Sequence, residues 1–241
     1  MSNLELPPPP WQRTVPKRSR PVKAPLNRDE IVDAGLRLVV EEGVDAVSMR
    51  RIAAVFDTGA SSLYAHVANK EELLQLMYDR VCGLIELPTP DPARWTEQIK
   101  DIARQGHAVL MRHNDLARTA LATVPSGPNS LRITEVMLAV MLGAGVAPRV
   151  AAWALDRLFL YITADAYEMS LQNKMLTAEG IEELSGQLAD YFTNLPAEHF
   201  PYLRANAGVI IAGDSTDRFE FGLDLIVDGI ARSLDKEPGG A

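Results

Sequence analysis

The 241-residue chain has one cysteine, Cys82, so it can form no internal disulfide. A lone thiol read as a small apolar helix residue suits a reducing cytoplasm. Long apolar runs are lacking too. The longest uncharged stretch, Val136 to Pro148, contains two glycines and is too short for a membrane span. The N-terminus is rich in proline rather than apolar side chains, which does not fit a signal peptide. There is no phosphate-cradling glycine loop and no arrangement of Ser, His and Asp that points to nucleophilic catalysis. His107 and His113 stand six residues apart, so they fall on different faces of a helix, and His199 is isolated. No metal site and no cofactor are expected.

An excess of basic residues is also absent, since the formal net charge is −8. The charge is unevenly divided. Residues 1–80 hold 11 basic and 11 acidic side chains, whereas residues 81–241 hold 13 and 21. Arg13, Lys17, Arg18, Arg20, Lys23 and Arg28 precede any acidic residue after Glu5. This describes a basic arm, a neutral head and an acidic body that phosphate would repel. The arm either follows a DNA minor groove or is a solvated tail.

What is present is helical periodicity. Residues 1–26, with seven prolines and no hydrophobic pattern, read as a flexible tail. Asn27 with Glu30 forms a capping box, Ile31, Ala34, Gly35 and Leu38 recur at helical spacing, and Gly43 supplies a stop. Ser48 caps a second segment, Met49–Phe56; a turn at Asp57–Gly59 leads to a third, Ala60–Val67. Asn69 and Glu72 open a fourth helix, and Asp91-Pro92 opens a fifth. Further helices are expected over Asp115–Val124, Asn129–Leu142, Pro148 to about Asn173, Thr177–Phe192 and about Thr216 to Leu234. Val209-Ile210-Ile211 is the one plausible strand. The fold class is therefore all-α, with a head over 27–72 and a helical body over 73–241.

Two short helices joined by a tight turn and capped by a first helix describe a helix-turn-helix. At about 100° per residue, Leu63 and Val67 share an inward face, and Ser61 and Ala65 point away. An outward face of this kind is what a recognition helix lays in the major groove. The string Arg50-Arg51-Ile52-Ala53, then Leu63-Tyr64-Ala65-His66-Val67-Ala68-Asn69-Lys70-Glu71-Glu72-Leu73-Leu74, closely resembles the TetR family of bacterial regulators. The likeness covers Arg28 to Met77. More weakly, Gly127-Pro128-Asn129 and Phe219-Glu220-Phe221-Gly222-Leu223 resemble the tetracycline-repressor type of ligand domain.

That resemblance implies a homodimer whose first three helices bind a double-stranded operator. The remaining helices would form a ligand pocket and a four-helix dimer interface, and a small-molecule effector would alter the spacing of the heads and release DNA. Ser48, Tyr64 and Lys70 would meet phosphates, and Arg50, Ser61 and Ser62 base edges, with Ala60 contributing apolar contact. His66 either contacts phosphate or fixes the corner before the fourth helix; Tyr64 has core packing as its alternative. Where the family usually has Gly-Val in the turn, this chain has Asp57-Thr58. For the pocket, large or polar residues on inward stripes are Trp95, His107, Met111, Met137, Met141, Trp153 and Tyr161, each with core packing as the bland reading. Methionines favour a hydrophobic or aromatic effector, and the acidic residues equally favour a cation. For the dimer, Ala151, Ala154, Leu158 and Ile162 on the long helix, with Phe219, Leu223, Ile226 and Ile230 on the last, exceed what one layer needs.

Two other classes compete. Asp57-Thr58-Gly59-Ala60-Ser61-Ser62 matches the aspartic-protease string, but that chemistry needs two facing aspartates and an all-β fold. A helical ligand-binding protein without DNA binding would leave the intact head and basic arm unexplained.

Overall fold

The computed structural model describes residues 26–113, 116–122 and 126–234; the arm from Arg13 to Lys23 and the ends of the Asp115–Val124 segment lie outside these residues. Twelve α-helices and no strand occur among the described residues. The head holds α1 (Arg28–Glu42), α2 (Met49–Val55) and α3 (Ala60–Leu63). The Asn27 side chain accepts a 2.8 Å bond from the Glu30 amide, and Ser48 accepts one of 3.2 Å from Arg51. Each bond satisfies an amide that has no partner inside the helix.

The turn after α2 is built on Asp57, whose φ of 51° is the only positive one outside glycine among the described residues. Its amide donates to Ala54 O and that of Thr58 to Ala53 O, both at 3.1 Å. This is a Schellman stop with aspartate where glycine is usual, and it is the reason the Asp-Thr pair works here. The third helix is shorter than the Ala60–Val67 expected. The amides of His66 and Val67 both fold back onto Leu63 O, because Asn69 must be extended to cap the next helix. Val67 still reaches the core, where it joins Ile31, Ile52 and Leu63.

Helix α4 (Lys70–Cys82) carries the chain out of the head. Asn69 accepts from the Glu72 amide, and the Glu72 carboxylate accepts from the Ala68 amide rather than that of Asn69. Met77 of α4 lies so close to α1 that a Cβ on Gly35 would sit 2.6 Å from its sulfur. The body consists of α5 (Trp95–Arg112), α6 (Leu116–Ala122), α7 (Pro128–Gly143), α8 (Pro148–Met175), α9 (Ala178–Thr193), α10 (Pro201–Ala205), α11 (Ala207–Ile211) and α12 (Ser215–Ala231). Ile99, Ile102, Leu116, Ile133, Met137, Leu158 and Leu223 form its core, continuous with that of the head. Asp91 caps a 3-10 turn over Pro92–Arg94 rather than α5 itself, which begins at Trp95.

Val209-Ile210-Ile211 are helical, contrary to the strand expected; the Ile210 amide donates to Asn206 O and that of Ala212 to Gly208 O. β-branched residues need a neighbouring strand to pair with, and none is present among the described residues. Helix α9 buries no side chain among those described, so α9, α10 and α11 form an arm that packs mainly on itself.

Candidate DNA-binding head and effector cavity

On the head, Leu63 anchors α3 in the core, while Ser61, Ser62 and Tyr64 are exposed and Ala60 is half-buried. Tyr64 is 53% exposed, so its ring does not pack in the core. The Ser62 hydroxyl accepts a 2.9 Å bond from Thr58, which leaves its own proton to donate outward. The two adjacent arginines differ in employment. Arg51 is gripped by both Glu42 oxygens, at 2.7 and 2.5 Å, and that hydrogen bonding holds the Glu42 carboxyl below the usual range. Arg50 is exposed, with no such partner among the described residues. Ser48 is half-buried and engaged as the α2 cap, and Lys70 stands at the start of α4. The corner between α3 and α4 is held by Arg28, which sequence reasoning did not single out for it. Its Nε donates to His66 O at 3.0 Å and its guanidinium pairs with Glu72 at 2.8 Å.

In the body, α4, α5, α7 and α8 line an inner cavity of about 30 Å³, room for about two waters. Tyr78, Cys82, Gly106, Met137, Phe159 and Thr163 are among the residues around it, and its surface is mostly apolar. Tyr78 and Cys82 share a hydrogen bond, and burial pushes the Cys82 thiol up to about 12 and the Tyr78 phenol above its ordinary range. Both are neutral at physiological pH.

One turn of α4 does three things at once. Tyr78, Val81 and Cys82 wall the cavity. Buried Asp79 caps α7, its Oδ1 accepting from the amides of Ser130 (2.9 Å) and Asn129 (3.1 Å) and its Oδ2 from Asn129 Nδ2 (3.1 Å). Arg80 pairs with Asp29 and, at 3.0 Å, with Asp33, both on α1 of the head. A second link between head and body runs from Arg118 of α6 to Asp45, at 2.5 Å. That hydrogen bond holds the Asp45 carboxyl below the ordinary range.

Of the seven residues proposed for a pocket, Met137 borders this cavity. Trp95 and Met141 are buried in the core, and Met111 is partly buried against it. His107 and Tyr161 form an aromatic stack with Phe219, at centroid distances of 4.0 and 5.5 Å. Trp153 is a correction. It is 67% exposed on α8, with the Arg149 guanidinium 5.4 Å from its ring centroid, because it lies on the stripe opposite Ala151, Ala154 and Leu158. Sequence reasoning missed Tyr78, Gly106, Phe159 and Thr163. Their only signal was a place on α4, α5 or α8, shared with many core positions.

The apolar surplus of α8 and α12 is real but lies elsewhere than expected. Ala151, Ala154, Leu158, Ile162, Phe219, Leu223 and Ile230 are buried within the subunit, and Ile226 is half-buried. The exposed stripe is Trp153, Leu160 and Leu171 on α8 with Phe221 and Leu225 on α12.

A three-helix head with an exposed recognition face, joined through one helix to a cavity-bearing helical body, defines a helix-turn-helix regulator of the ligand-binding kind. Comparison with known proteins agrees. Residues 31–77 match the family described as bacterial regulatory proteins, tetR family, and residues 87–234 match the tetracyclin repressor-like C-terminal domain. The repressor DrrR1 of Streptomyces coeruleorubidus is 29% identical over 220 residues, 88% of this chain and 80% of that protein. The class D tetracycline repressor of Escherichia coli is 25% identical, over 88% of this chain and 92% of its own. Among solved structures, the Streptomyces coelicolor TetR family protein ActR in complex with actinorhodin is 41% identical, covering 86% of this chain and 96% of its own, with a TM-score of 0.81. The chain belongs to the TetR family: it is a ligand-responsive transcriptional regulator, not an enzyme. No described helix is long and apolar enough to cross a membrane.

Proposed function

We propose that this chain acts in the cytoplasm as a homodimeric repressor of a palindromic operator, released when an organic effector enters the inner cavity. The observation that carries this reading is the single turn from Tyr78 to Cys82, which is cavity wall, α7 cap and α1 anchor together. A ligand that displaces Tyr78 or Cys82 must turn the same helix segment that holds the head. Ligand binding is thereby coupled to head separation, and favours one of two states. Arg50, Ser61 and Ser62 are assigned to base edges with Ala60 beside them, and Ser48, Tyr64, His66 and Lys70 to the phosphates. The stripe of Trp153, Leu160, Phe221 and Leu225 is assigned to an isologous four-helix interface.

ActR has been solved with actinorhodin and with (S)-DNPA, which supports an organic small molecule as effector class here. The apolar lining with Phe159 and Met137 favours one with an aromatic ring. Fluorescence anisotropy with duplexes from around its own gene tests the DNA half. Arg50→Ala should weaken the best site about 10- to 100-fold and relax its sequence preference, as loss of a bidentate base contact does. Lys70→Ala should weaken all sites alike and lower the salt slope by about one. Equal affinity of the unaltered protein for every duplex would contradict the reading.

A further inference from the structure

The head carries an open groove of about 410 Å³, lined from the start of α1, the end of α2 and the turn into α3. Leu26, Phe56 and Val55 give it apolar surface, and Val55 is 52% exposed. Glu30 and Asp57 add two carboxylates, and Ser62 of the recognition helix borders the same space. No basic side chain is among the described residues that line it. Arg28, two residues from Glu30, is engaged with His66 O and Glu72 instead. Carboxylates beside a helix that reads base edges work against DNA binding, because they repel phosphate.

The sequence next to the groove supplies the missing cations. Residues 1–25, outside the described residues, join the head at Leu26, which itself lines the groove. The last six of them, Arg20-Pro21-Val22-Lys23-Ala24-Pro25, interleave two cations with apolar side chains. At no more than about 3.6 Å per residue, Val22 and Lys23 stay within about 15 Å of Leu26. We infer that the groove is the seat of this chain's own segment 20–25. Val22 covers Val55 and Phe56, and Arg20 and Lys23 neutralise Glu30 and Asp57. The tether holds the segment at an effective concentration in the millimolar range, so individually weak contacts suffice. The functional consequence is a head whose acidic groove is masked by its own arm, which raises DNA affinity without the segment touching DNA. That consequence rests on α3 being the DNA-reading helix; the docking does not.

Because Cys82 is buried, Val22→Cys gives the full-length protein one accessible thiol, whose alkylation by iodoacetamide reports cover. Ala24→Cys, which leaves Val22 in place, is a second reporter, and Ser2→Cys is the uncovered control. Each rate is taken relative to that of the same variant in concentrated urea. Docking should slow at least one reporter about fivefold or more against the control, and Val55→Lys should remove the protection. Equal relative rates for both reporters would overturn the docking. The masking is read by fluorescence anisotropy on the best duplex from around its own gene. Deleting residues 2–24 should weaken binding about tenfold. Glu30→Gln with Asp57→Asn should recover most of that loss in the shortened chain, and change the full-length protein by less than about twofold. A deletion without effect would overturn the masking. So would an unrecovered loss with a salt slope lowered by about one per lost cation, the sign of an arm that meets phosphate directly. If the reporters are protected but the unaltered protein binds no duplex, the docking stands and the DNA-reading assignment of α3 fails.

Discussion

Replacing Asp79 with alanine removes the carboxylate that ties α4 to the first turn of α7. Two α7 amides then lose charge-assisted bonds of 2.9 and 3.1 Å, and the Asn129 side chain loses another. An N-cap is worth about 1 kcal/mol, and a buried donor left without a partner costs about 1–3 kcal/mol. The terms overlap, so the expected loss is about 3 kcal/mol. For a chain of this size each kcal/mol lowers Tm by about 2–4 °C, giving a fall of about 6–12 °C. Gly127 supplies a control for the cause. A Cβ there would lie 2.2 Å from both Cγ and Oδ1 of Asp79, so Gly127→Ala should also destabilise, by about 2 kcal/mol, by pushing the carboxylate off the amides. In the Asp79→Ala background Cγ and Oδ1 are gone, and only the Cβ, at 2.7 Å, still crowds the new methyl. The double variant should therefore be about 1 kcal/mol or more better than the sum of the singles, measured by urea unfolding. Strict additivity would refute the latch.

Four other outcomes follow from named contacts. Asp57→Gly should raise stability by about 1 kcal/mol in thermal unfolding, since a side chain in the left-handed region is strained there; unchanged stability would deny the strain. Arg104 donates two 2.8 Å bonds to Glu220 and holds its carboxyl below the ordinary range. The stability difference between the parent and Glu220→Gln should be full above the ordinary glutamate range and vanish as pH falls through the depressed value, and, the pair being partly exposed, it should be at most about 1 kcal/mol. Cys82, buried with its thiol pushed to about 12, should resist iodoacetamide at pH 8 in the folded protein and react on unfolding. Leu225→Asp should give a folded monomer by sedimentation at micromolar concentration; a retained dimer would place the interface elsewhere than α8 and α12.

The head was legible because its signals are local. Asn27, Ser48 and Asn69 cap where their positions predict, since a cap depends on amides two or three residues away. Asp57 takes the left-handed turn for an equally local reason. Where distant residues decide, reading stopped. The apolar positions on α8 occupy two stripes, one around Leu158 and one around Trp153, and periodicity shows both without saying which meets the subunit's own core. Trp153 was assigned inward and the dimer stripe to buried residues for that one reason. The strand assigned to Val209–Ile211 failed likewise: propensity is local, but a strand needs a partner. The cavity wall was illegible because Tyr78, Gly106 and Thr163 come from three helices whose meeting is a tertiary fact.

Most direct for the central claim is the salt dependence of binding to the duplex upstream of its own gene, combined with a footprint. The expected result is a two-fold symmetric footprint with half-sites about one helical turn or a multiple apart, and affinity falling steeply and linearly on a log–log plot as salt rises. A folded protein that binds no such duplex at low salt, or protects a single unsymmetrical half-site as a monomer, would contradict it.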